Sequence, residues 1–253
     1  MKTVSWIEAA AGIVGLACMQ ISSLSLLWKS LLVLGFSASL ALAEENKAAD
    51  GWEHWFADGK TDGFSVVSGT ASYTVKDGVL TGTTVEGSPN TFLLSRPVKD
   101  FELEFEVKVD NELNSGVQVR SRVYKEGEPV PEGSKKAPPP GRLYGPQCEI
   151  AINGTAGDFY DEGRRGVWWS ILTETTAMRT DEAKAAFKKE EWNKYRIVVK
   201  GDHYQSWVNG VKAADFKQAG DPEGGIGFQV HGIKKGTGPY SVHWRAVKFR
   251  ELK

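Results

Sequence analysis

Gln147, Cys148 and Glu149 directly follow a proline-rich run, and Gln229, Val230 and His231 sit in a Gly-rich, otherwise apolar one. In extended chain, side chains two residues apart share a face, so each run pairs an amide with a group able to take or give a proton. Gln118 and Arg120 repeat the spacing in a third run, and Trp168 and Trp207 supply rings. On one sheet surface Gln118, Arg120, Gln147, Glu149, Gln229, His231, Trp168 and Trp207 would make a platform for a sugar. Tryptophan stacks on the apolar face of a pyranose, while amides, carboxylates and guanidinium groups bond hydroxyls in fixed directions. The same composition suits an ordinary solvated sheet face, and spacing alone leaves both readings standing.

Other chemistry-bearing residues point less firmly. Glu102, Glu104 and Glu106 share a face as glycosidase carboxylates would, but they alternate in a plain strand with Lys108 and Asp110 and read as a solvated outer face. Asp161-Glu162-Gly163-Arg164-Arg165 is either a self-paired turn or an arm reaching the ligand. His54, His203 and His243 have no metal-ligand spacing, and there is no zinc-type cluster, phosphate-cradling glycine loop or nucleophile elbow. A formal charge of −1 gives no basis for binding nucleic acid.

These groups need strands to position them. Tyr195, Ile197 and Val199 alternate with Arg196, Val198 and Lys200, and Asn209-Gly210 is a hairpin turn whose residues tolerate positive φ. Phe101–Val109 puts five apolar residues on one face and four charged ones on the other. Strands are also expected at 70–75, 79–84, 92–95, 115–123, 146–152, 167–172, 204–208, 211–216, 226–230 and 241–251. The run 124–143, rich in Pro, Gly, Lys and Glu, is a loop or lid, and 153–166 is a polar loop. Only 180–187 reads as helical, with Thr180 as N-cap. Many short strands with closely spaced turns predict an all-β, antiparallel two-sheet sandwich and a single domain over 52–253.

The front end reads as an export signal. Lys29 precedes an apolar run closing on Ala41-Leu42-Ala43, which predicts a cleaved secretory peptide over 1–43 and a short leader over 44–51. Met19 would give a signal of ordinary length. The apolar runs are broken by Gln20, Ser22, Ser23, Trp28 and Lys29, short of the about 18 clean residues of a membrane anchor. The protein is therefore expected in the periplasm or outside a bacterial cell, and not membrane-embedded after cleavage. Cys18 leaves with the signal, so Cys148 has no partner for an internal disulfide and is expected to be a buried packing residue.

The runs Asn114–Arg120, Tyr144–Ile150, Tyr160–Gly166, Glu191–Arg196, Trp207–Gly210 and Gly227–Gly232 together, in this order, resemble the 3-keto-disaccharide hydrolase domain family. The resemblance spans about 52–252. It implies a concanavalin A-like jelly roll and cleavage of glycosides already oxidised to a ketone at sugar C3. It assigns Glu149 and His231 as an acid/base pair, or alternatively as ligands of a divalent metal cation. Arg120, Gln147, Gln229, Gln118 and Arg164 would hold the sugar, and Trp168 would stack on it. Where many relatives carry Glu-Val-Gln-Ile, this chain reads Gln147-Cys148-Glu149-Ile150. The competing readings are a non-catalytic carbohydrate-binding module on the same fold, and an interaction domain using 124–143 as a docking arm.

Overall fold

The computed structural model describes residues 51–169 and 180–253. The expected signal and most of the leader, and the strand expected at 167–172 beyond Trp169, lie outside the described residues. Eight strands form one sheet: β1 (Glu53–His54), β3 (Ser72–Lys76), β4 (Val79–Thr83), β6 (Phe101–Val109), β10 (Asn193–Lys200), β11 (His203–Val208), β12 (Val211–Lys217) and β14 (Ser241–Glu251). Their order is β12-β11-β10-β6-β14-β4-β3, with β1 beside β14. The other sheet holds β2 (Ser65–Val67), β5 (Thr91–Val98), β7 (Ser115–Val123), β8 (Leu143–Ile150), β9 (Phe159–Glu162) and β13 (Gly224–Val230), ordered β2-β5-β13-β7-β8-β9. Its pairs, like those of the larger sheet, are antiparallel. The fold is the two-sheet jelly roll expected from the strand pattern.

Local sequence explains the turns. Asp77-Gly78 and Asn209-Gly210 all have positive φ, as a two-residue hairpin turn matching strand twist demands. The one described helix, α1 (Asp181–Ala185), starts where Thr180 Oγ1 accepts the Ala183 N–H at 3.1 Å. Several strand expectations needed correction: β1 and β2 were not expected, and β8 starts at Leu143, ahead of the expected 146–152. β5 continues through Pro97 to Val98, and the polar loop at 153–166 contains β9, whose alternation is too short to stand out.

The core lies between the sheets. Phe101, Leu103, Phe105 and Val107 of β6 meet Val117, Val119, Cys148, Ile226 and Phe228 of the smaller sheet. Tyr195 stacks on Phe105 with ring centroids 5.2 Å apart. Cys148 is fully buried, and burial pushes its thiol well above its ordinary range, as a packing role requires.

The smaller sheet curls. Asn90, just before β5, donates from Nδ2 to Glu162 Oε1 of β9 at 3.4 Å. In a flat sheet these strands, four spacings apart, would be about 19 Å from each other, beyond the reach of two side chains. The face turned away from the core is therefore a concave groove.

Candidate functional site

Three neighbouring strands bring the amides together in that groove. Gln118 of β7 pairs across with Gln147 of β8 on one side and Gly227 of β13 on the other. Gln147 Nε2 donates to Glu149 Oε1 at 2.8 Å and to Gln229 Oε1 at 3.3 Å. Asn114 Nδ2 donates to Glu149 Oε2 at 3.3 Å. Gln118 and Gln229 are fully buried, Gln147 and Glu149 nearly so. Gly116, opposite Glu149, lets Gln147 lie flat: a Cβ there would stand 2.5 Å from Gln147 Cδ.

The cluster is incompletely satisfied. Both amide atoms of Gln118, Oε1 of Gln147 and Nε2 of Gln229 are buried without a hydrogen-bond partner among the described residues. A buried, unpaired polar atom costs on the order of 1–3 kcal/mol, and four of the unpaired atoms found among the described residues fall in this one cluster. Burial pushes the Glu149 carboxyl up to about 7; the bonds from Gln147 and Asn114 oppose that rise, and Glu162 and Asp158 add to it. A carboxyl poised there exchanges a proton near neutral pH.

The rim completes the site. His231 follows β13 on the same face as Gln229, and its Nδ1 lies 2.7 Å from Gly232 O. A carbonyl only accepts, so Nδ1 carries the proton and, in the neutral ring, Nε2 keeps its lone pair. Tyr160 sits opposite Gln147, and its ring meets Trp168 edge-on at 5.1 Å. Asn114, Asn90 and Tyr160 were not singled out as site residues from the sequence, and Glu162 only as part of the charged turn at 161–165. Asn114 and Asn90 stand in loops next to strands, and no periodicity marks them.

Three expected members lie elsewhere. Arg120 takes a left-handed φ of 47° at a bulge between Gln118 and Arg122, which breaks the alternation. Its guanidinium is buried, donating to Lys99 O, Gly201 O and Asp100 Oδ1, each at 2.6 Å. Trp207 belongs to the larger sheet, with Arg196 4.4 Å and Lys212 5.4 Å from its ring centre. Arg164 bonds Asp161 at 2.9 Å and Asp221 at 2.8 Å, and Arg165 also reaches Asp161, so that turn is self-paired around a fully buried aspartate. Glu102 is no solvated carboxylate either: it is buried between Arg196 and Arg250.

Two clefts of about 710 and 600 Å³ have Arg120 and Arg164 among their lining residues. Size favours them, but their arginines are mostly spent on fixed protein partners, with only Arg164 Nη2 unpaired among the described residues. The amide groove carries the unpaired atoms together with a poised carboxyl. As for a metal, the described residues nowhere gather three or more His, Cys, Asp or Glu side chains able to hold one.

Comparison with known proteins agrees with this fold. A Parabacteroides distasonis protein provisionally called a glycosyl hydrolase is 22% identical, with a TM-score of 0.51 over 83% of this chain and 97% of its own. The carbohydrate-binding module CBM66 of Bacillus subtilis is 14% identical, with a TM-score of 0.48 over 75% and 96%. No curated protein matches. The profile of one domain family matches residues 45–252, nearly everything the structure describes, and the chain belongs to that family, the 3-keto-alpha-glucoside-1,2-lyase-like domain.

Proposed function

We propose that the protein cleaves 3-keto-glycosides by elimination across C1 and C2 followed by hydration. The supporting observation is the groove in which a buried carboxyl poised near pH 7 adjoins amides with unpaired atoms. A ketone at C3 acidifies the C2 proton. Glu149, ionised, takes that proton; the C2–H electrons form an enolate whose oxygen is the former ketone. The enolate collapses, a C1=C2 bond forms, and the C1–O bond breaks with its electrons going to the aglycone oxygen, which takes a proton from a general acid. Water then adds across C1=C2 to give net hydrolysis.

In this reading Gln118, Gln147 and Gln229 hold sugar oxygens and steady the enolate, since preorganised buried donors act most strongly where charge develops. His231, in its imidazolium form, gives the Nε2 proton to the aglycone oxygen while Nδ1–H stays bonded to Gly232 O, and Trp168 borders the sugar. The family membership favours this chemistry, and the groove suits it because only one base and one acid are needed. The export signal at 1–43 is proposed with it, placing the enzyme in the periplasm or outside the cell, on the pattern of Lys29 to Ala43.

The test is cleavage of a chromogenic 3-keto-glucoside by Glu149→Gln and His231→Ala. A general acid or base is worth about 10²–10⁴ in rate, so each should lose at least about 100-fold. A loss below about tenfold in both would refute the assignment. Sugar binding with no bond broken by the unmodified protein would instead establish a binding module.

A further inference from the structure

The groove is open along only part of its length. Along β13 the outward positions are Gly225, Gly227, Gln229 and then His231. The two glycines are overlaid by apolar side chains: a Cβ at Gly225 would lie 2.4 Å from Leu94 Cδ1, and one at Gly227 would lie 2.9 Å from Leu143 Cδ2. Phe92, opposite Gln229, is buried against the same glycine, its Cβ 3.5 Å from the Gly227 Cβ position. Leu143 belongs to β8, two strands away, and is fully buried. It is held there from the opposite sheet edge. Ser68, just past β2, accepts the Leu143 N–H on Oγ at 2.7 Å and donates from Oγ to Gly141 O at 3.1 Å.

Resting on the proposed glycoside reading, we infer that this latch makes the groove a pocket for one terminal sugar ring. Beyond the Leu143 block over Gly227, the outward polar positions are Gln229 and His231, about 7 Å apart at ~3.3 Å per residue. That admits a single ring with its glycosidic bond directed out of the open end. A ring inside a chain must continue in both directions, and one of these is filled by Leu143, Phe92 and Leu94. Leu143 and Ser68 are thus specificity-determining residues that touch no reacting atom.

Two measurements test this. In the first, no sugar is used. A thiol at Leu143→Cys, in a Cys148→Ser background, is titrated with a small methanethiosulfonate. Leu143 is fully buried in the wall, so labelling should be about 100-fold or more slower than for a free thiol, and adding Ser68→Ala should speed it at least about tenfold. Ser68→Ala removes no core side chain, so in the second measurement it covers a failure of Leu143→Ala to fold. Labelling at the free-thiol rate with Ser68 in place overturns the wall. In the second, the native protein is given the chromogenic 3-keto-glucoside and the same compound carrying a further glucose on its 4-hydroxyl. The unsubstituted compound should be preferred by about 100-fold, and the latch variants should narrow that at least about tenfold. Equal cleavage by the native protein overturns the inference. If neither compound is cleaved, the elimination reading fails, and the labelling rates decide whether Leu143 walls the groove.

Discussion

Replacing Gln147 by methionine isolates what its amide does for Glu149. Methionine keeps the length and bulk of glutamine but cannot donate, so the 2.8 Å bond to Glu149 Oε1 disappears while the Asn114 bond remains. That bond favours the ionised carboxyl and opposes burial, so its loss must move the proton affinity upward from about 7. A hydrogen bond to a charged group is worth about 1.5–3 kcal/mol, and 1.36 kcal/mol corresponds to one pH unit, so the expected rise is about one to two pH units. With Glu149 as the base, the acid limb of the pH–rate profile for the 3-keto-glucoside should move to about pH 8–9. The Glu149 carboxyl resonance, followed by ¹³C NMR titration without substrate, should move by the same amount. A limb and a titration both unmoved by Gln147→Met would refute the coupling. A titration that moves without the limb would show that Glu149 is not the base.

Three further outcomes follow from the geometry. Gly116→Ala should fold but lose cleavage by about tenfold or more, because its Cβ would stand 2.5 Å from Gln147 Cδ and displace that amide; unchanged cleavage would show that the position of Gln147 is unimportant. Arg120→Met should cost about 1–3 kcal/mol in urea unfolding, since it leaves the carbonyls of Lys99 and Gly201 without their donor and removes the ion pair with half-buried Asp100, and should leave KM unaltered. A changed KM with unchanged stability would return Arg120 to the sugar. Glu149→Gln should stabilise the fold in a pH-dependent way. The carboxyl is raised in the folded protein from 4.5 to about 7, so burying its charge costs nothing below the unfolded value and about 3 kcal/mol once pH has risen through the folded one. The gain should therefore appear at pH 8 and vanish at pH 4, and a gain equal at both would refute the burial of a charge.

The strand pattern carried most of the fold. Phe101–Val109, Ser115–Val123 and Ser241–Glu251 have the bounds their apolar and polar alternation announces, although the first seven residues of Ser115–Val123 are buried on both faces. β9 was hidden because its four residues mix buried aspartate with half-buried glutamate. Period-2 reasoning brought Gln118, Gln147, Glu149, Gln229 and His231 to one face. It failed at Arg120, where a single left-handed residue reversed the direction of the side chain, and at Trp207, since alternation cannot say which sheet a strand joins. Asn90, Asn114 and Leu143 reach the groove through loop geometry and sheet curl, which are properties of long-range pairing and leave no local signature.

The most direct test of the eliminative reading sets the chromogenic 3-keto-glucoside beside its unoxidised parent, with the native protein at pH 7.5 to 8. Release of aglycone from the keto compound alone, with exchange of the C2 hydrogen into solvent, is the result expected, because only the ketone makes that hydrogen acidic enough for one carboxylate to remove. Equal release from both compounds, or release with the C2 hydrogen retained in the product, would contradict it.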